Sequence, residues 1–123
     1  MSLLLPLAML LSSPVLLPGG EDGVDTELTC EVGPVDRQYG GSDFSIYSCD
    51  DDKSVVAVAK PRSRAFPFYF IVSPQGGEVR LYGEGDGDSK ATRAAFKDLN
   101  EFKPADVAAL VAATKAIASA GER

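Results

Sequence analysis

Between Glu27 and Gly83 the apolar and aromatic residues fall into five short runs: ELTCEV, FSIYSC, SVVAVA, FPFYFIV and EVRLYG. Between them stand YGGSD, DDDK, KPRSR and SPQGG, clusters of the residues that turn a chain, at roughly ten-residue intervals. Short runs rich in β-branched and aromatic side chains at that spacing predict an antiparallel meander of about five strands. Pro67, inside the fourth run, places the start of that strand at an edge or a bulge.

After Asp88 the period changes. Thr92, Ala95, Phe96, Leu99 and Phe102 recur at helical spacing, while Lys90, Arg93, Lys97, Asp98 and Glu101 fill the other side. That pattern predicts an amphipathic helix. KPADVAALVAATKAIASAG predicts a second, with Pro104 suited to its first turn and Gly121 to its end. Its apolar stripe is Val107, Leu110, Val111 and Ile117, and the alanines between them allow close approach to a neighbour. The expected fold is α+β: the meander with two C-terminal helices packed on one face.

Strand parity carries this further, because successive side chains point to opposite faces. Phe44 and Ile46 share one side, as do Phe66, Phe68, Phe70 and Val72, and Val79 with Leu81. These bulky sets predict the face beneath the helices. The opposite parity holds Tyr47 and Cys49, Tyr69 and Ile71, and Arg80 and Tyr82. Tyrosine suits an uncovered face, where its ring packs and its hydroxyl stays wet. Tyr47, Tyr69, Arg80 and Tyr82 are therefore the candidate partner surface.

Charge and length narrow the function. The chain has 123 residues, a length for one domain, and a formal net charge of −6. An acidic chain repels polyphosphate, which argues against nucleic acid and anionic membrane surfaces as partners. Every charged residue lies at or beyond Glu21, leaving MSLLLPLAMLLSSPVLLPGG uncharged. Residues 1–20 read as a signal peptide with an apolar core over Leu3–Leu11, although no Lys or Arg precedes it and no A-x-A pattern follows. A retained anchor and a mis-set start are the alternatives. Residues 21–26 then form a flexible linker and 27–120 the domain. The expected location is periplasmic or secreted, with membrane contact only during export.

Cys30 and Cys49 are the only cysteines. In an oxidising compartment they read as one disulfide, with two buried thiols as the alternative. Their separation is too wide for a C-x-x-C redox site. With no histidine, Ser-His-Asp and Cys-His catalysis is excluded, and a zinc site lacks ligands.

Three segments resemble sites. GEGDGD, Gly83 to Asp88, misses the phosphate-loop spacings, and its carboxylates would repel a phosphate. Counted from Asp86, an EF-hand would need Glu at Lys97. The segment reads as a turn in which Asp88 or Ser89 caps the helix, with a non-EF calcium loop as the alternative. CDDD, Cys49 to Asp52, reads as a solvated hairpin tip. KPRSR is the only basic cluster, a hairpin tip in which Arg62 and Arg64 could together hold an anion.

The order of leader, cystine, meander and helix pair is similar to that of many small exported bacterial proteins, and small periplasmic inhibitors of hydrolases share this size and disulfide economy. No motif matches one of these, and no functional residue carries over. The sequence thus predicts an exported binding or inhibitory module for a protein or envelope component, without cofactor or metal. A carboxylate-based hydrolase and a structural envelope protein are the alternatives.

Overall fold

The computed structural model describes residues 28–121. The signal segment and the linker expected from the sequence lie outside the described residues. Five strands, β1 (Val32–Tyr39), β2 (Ser42–Ser48), β3 (Val55–Ala59), β4 (Phe68–Gln75) and β5 (Glu78–Gly85), precede two helices, α1 (Ser89–Leu99) and α2 (Pro104–Gly121). The strands lie side by side in chain order, each antiparallel to the next. This is the expected α+β meander with both helices on one face.

The first strand is displaced from its expected place. ELTCEV contributes only Val32, and β1 runs instead through VGPVDRQY. Gly33 and Pro34 hide it, since neither favours a strand interior. At a sheet edge they are tolerated: among the described residues β1 has a neighbour on one side only, and its register shifts between Val32 and Val35. Only Val35 and Tyr39 of β1 are buried.

Alternation then builds the core. Phe44 and Ile46 of β2, Val55, Ala57 and Ala59 of β3, and Phe70 and Val72 of β4 are buried on one face. Ala95 and Leu99 of α1 and Val107, Leu110 and Val111 of α2 meet them in one cluster, with Phe68, Val79 and Leu81 at its margin. Burying a side chain the size of Phe44 or Ile46 stabilises the fold by about 1.5–3 kcal/mol. The small Ala57 and Ala59 leave space at mid-sheet, while α2 lies chiefly over β1 and β2.

Several residues depart from the expected sides. Phe66 precedes β4 rather than belonging to it and is 45% exposed. Cys49 lies beyond the end of β2, outside the alternation, and is buried and bonded to Cys30. In α2, Thr114 takes the buried place expected of Ile117, which is 48% exposed. Thr114 Oγ1 hydrogen-bonds Ser48 Oγ at 2.7 Å and the Val111 carbonyl at 2.8 Å, at the last residue of β2. Ile117 lies a further turn along. Phe96 is also exposed, and Phe102 falls past the end of α1, where its ring meets Tyr39 edge-on.

The helices are positioned by short local contacts. Asp88 caps α1 by accepting from the Ala91 N–H at 2.9 Å. Asp106 accepts from the Lys103 N–H at 2.8 Å, closing the start of α2 behind Pro104. The β1–β2 turn passes directly under α1. Gly40 has φ +59°, and a Cβ there would run into the backbone of Ala94 and Ala95. Only glycine satisfies both demands. Its N–H also donates to Asp98 of α1 at 2.6 Å.

Candidate functional site

The face opposite the helices carries no covering element among the described residues. Register places Tyr47, Val56, Ile71 and Tyr82 in one row across β2, β3, β4 and β5. The neighbouring row is Ser45, Val58, Tyr69 and Glu84, and Arg80 stands one step along β5 from Tyr82, opposite Ser73. All four residues expected on the uncovered face therefore share it, and Phe70 and Val72 point to the helices. The fourth tyrosine, Tyr39, is buried on the helix side against Phe44 and Phe102.

Polarity changes across this open face. Towards β1 it is charged and self-paired: Lys60 Nζ lies 2.8 Å from Asp36, and Gln38 donates to Asp43 at 3.0 Å. Towards β5 it is apolar and aromatic, with Val58 37% and Tyr82 54% exposed. Phe66 joins it from the loop. A depression of about 350 Å³ opens there, lined by Val58, Phe66, Tyr69, Glu84 and Asp86 among others.

Glu84 organises this end. Its Oε1 accepts from the Tyr82 hydroxyl at 2.8 Å and the Tyr69 hydroxyl at 3.2 Å. Desolvation, then the hydrogen bond to Glu84 and its negative charge, raise the Tyr69 pKa above 10.0. For Tyr82 the hydrogen bond to Glu84 comes first, followed by the carboxylate's charge. Both phenols are neutral donors at physiological pH.

Sequence reasoning named Tyr69 and Tyr82 but missed Glu84, Val56, Val58 and Phe66. Glu84 was within reach: the Gly76–Gly77 turn pairs Gln75 with Glu78, and counting back from it pairs Tyr69 with Glu84. Val56 and Val58 follow from alternation in SVVAVA. Phe66 had no such signal, since parity governs only residues within a strand.

The three segments that resemble sites resolve into separate structural tasks. In GEGDGD, Glu84 turns to the tyrosines while Asp88 turns to the α1 backbone, so their carboxylates diverge. The strand continues through Gly85, and Gly87 is held so tightly against the chain that a Cβ there would overlap the Ala65 carbonyl oxygen. In CDDD the carboxylates also part. Asp50 accepts from the Thr29 N–H, and Asp52 pairs with Lys115 of α2 at 2.7 Å. Asp51 accepts from Lys53 N, Ser54 N and Ser54 Oγ. Burial pushes the Asp51 pKa up, but those hydrogen bonds outweigh it, and the net shift is downward. Among the described residues, no three acidic or cysteine side chains converge as a metal would require. In KPRSR, Lys60 is committed to Asp36, and Arg64 lines a depression beside Lys90 and Asp88 that Arg62 does not share.

Cys30 and Cys49 form a disulfide, the signature of an oxidising, extracytoplasmic environment. Among the described residues no helix is long and apolar enough to cross a membrane. Comparison with protein-family models, curated proteins and solved structures finds no match to this chain. The functional reading therefore rests on the geometry of the open face.

Proposed function

We propose that this is a periplasmic or secreted binding module, exported by its N-terminal segment, whose open sheet face docks a protein partner of the cell envelope. The observation that carries this reading is the uncovered row Tyr47–Val56–Ile71–Tyr82, continuous over four strands. A five-stranded sheet has two faces to cover, and the helices cover one. Aromatic rings with polar tips tolerate water in the free state and exclude it in a complex, which is why tyrosine and arginine are enriched at interface centres. Arg80, at the end of the patch, adds a charged contact. The paired charges near β1 supply the polar rim such an interface has.

The reading is tested by retrieving partners from an envelope extract with wild-type protein and with matched variants. Tyr47→Ala or Tyr82→Ala should weaken the complex by more than about 1 kcal/mol while the domain stays folded. Ile117→Ser, an exposed change on the helix side, should leave binding intact. Equal retention by all three variants would refute the open face as the docking surface. Export is checked separately: N-terminal sequencing of mature protein should start near Glu21, and an intact Met1 on cytoplasmic protein would refute it.

A further inference from the structure

We infer that the depression beside Glu84 is a recognition pocket for an arginine side chain presented by a protein partner. This deepens the docking reading above and rests on it. The pocket offers one carboxylate already oriented, a second beside it, and apolar walls.

The carboxylate comes first. Both tyrosine hydroxyls donate to the same oxygen, Oε1, of Glu84, at 2.8 and 3.2 Å. These bonds hold Oε1 in place and leave Oε2 with no hydrogen-bond partner among the described residues. An incoming donor therefore meets an acceptor that is already aimed, and less side-chain entropy is lost on contact.

Charge is the second observation. The ion pairs among the described residues are Lys60–Asp36 and Lys115–Asp52, and neither uses Glu84 or Asp86. Both acids line the depression uncompensated, on a chain of net charge −6. The complementary ligand is a cation.

The walls decide which cation. Phe66 and Val58 stand 45% and 37% exposed at the depression, and Tyr69, the cross-strand neighbour of Val58, also lines it. The wall and the acid are joined through the backbone: Asp86 N and Gly87 N both donate to the Pro67 carbonyl, at 2.8 and 3.0 Å. Phe66 N donates to the Ser63 carbonyl at 3.1 Å. A guanidinium is flat, weakly hydrated and able to stack on a ring while its fork of donors reaches a carboxylate. An ammonium is a compact, strongly hydrated charge that gains less from such walls. The depression, about 350 Å³, has room for an arginine side chain.

The experiment is an NMR titration of isotope-labelled protein with N-acetyl-arginine amide and with its neutral citrulline counterpart. The arginine probe should shift Phe66, Tyr69, Glu84 and Asp86 saturably. The citrulline probe should bind at least about tenfold more weakly, as the loss of a charge-assisted hydrogen bond predicts. Glu84→Gln should weaken the arginine probe by a similar factor, with an unchanged far-ultraviolet spectrum confirming the fold. Asp86→Asn gives a second variant that leaves the tyrosine contacts in place, and it too should weaken binding. Equal binding of the two probes would overturn the assignment. So would indifference to both variants, shifts located elsewhere, no saturable response, or tetramethylammonium binding as tightly as the arginine probe. Tyr47→Ala separates the two proposals. It lies outside the pocket and should leave the arginine titration unchanged, whereas it tests docking of the whole face.

Discussion

The two faces of the sheet use similar aromatic side chains to opposite ends. On the covered face Phe44, Phe68 and Phe70 pack with ring centroids 5.0–5.9 Å apart, and their neighbours are helix side chains. On the open face Tyr47, Tyr69 and Tyr82 stand in the same sheet, offset by one residue from the covered positions. Their hydroxyls are what differs. A phenylalanine contributes only apolar area, so water leaves nothing to compensate its exposure. A tyrosine keeps its hydroxyl hydrated or bonded, as Tyr69 and Tyr82 are to Glu84, and can remain at the surface until something else covers the ring. Burial is thus assigned by the helices, and in these two sets of rings the side-chain chemistry matches the solvent each meets.

The sharpest way to break this contrast is to truncate one ring on each face. Phe70→Ala should cost about 3–5 kcal/mol, because Phe70 is buried and the helices can only partly close the cavity. Tyr82→Ala should change stability by about 0.5 kcal/mol, as for other exposed sites. Denaturant unfolding of the two variants measures both. Equal losses would mean that the open face is a second core.

The cystine lies off the end of the buried face and should matter almost as much. Cys30→Ser should destabilise by about 2–4 kcal/mol in the chain-entropy account, since it releases the segment that Cys49 holds. Free-thiol labelling of both cysteines in native, exported protein would refute the bond itself.

Thr114→Val removes the α2 hydroxyl that reaches the sheet. It keeps the shape but leaves Ser48 Oγ without its buried partner, and should cost about 1–2 kcal/mol. A neutral result would mean that α2 is held by apolar contact alone. Replacing Asp88 and Ser89 together by Ala should cost a similar or smaller amount, about 1–2 kcal/mol, through the lost cap of α1. Calcium and chelator should leave the melting temperature unchanged. A calcium-dependent rise would give GEGDGD a metal role.

The smallest effect is read in alkali on the open face. The folded pKa values of Tyr69 and Tyr82 lie above 10.0, so the folded protein keeps these protons longer than the unfolded chain. Their contribution to stability is whole below pH 10.0 and is lost as pH rises through the raised folded values. Glu84→Gln removes the neighbouring charge and should return both titrations towards 10.0, followed by ultraviolet absorbance of the phenolate. Tyr39, raised mainly by burial on the other face, should not move. A common shift of all three would mean that Glu84 is not a local contributor at Tyr69 and Tyr82.

Local pattern determined much of this protein without help. Alternation in FSIYSC and FYFIV, the helical period after Asp88, the turn residues between strands and the paired cysteines each express a constraint acting within a few residues. The order of strands and the sides of Phe44, Phe70, Tyr47 and Tyr82 were readable for that reason. Tertiary structure decided the rest. β1 forms through Gly33 and Pro34 because a neighbouring strand and an overlying helix supply what its own residues lack. Phe66 sits outside the alternation and is placed by the loop that carries it. Ile117 is exposed and Thr114 buried because the end of the β1–β2 pair lies beneath one turn of α2 and not the next, a length match that no helical period contains. Glu84 gains its partners only when β5 folds back on β4, since a contact between Tyr69 and Glu84 spans 15 positions and exists only once the register is set. Periodicity specifies which way a side chain points; what it meets there depends on distant segments of the chain.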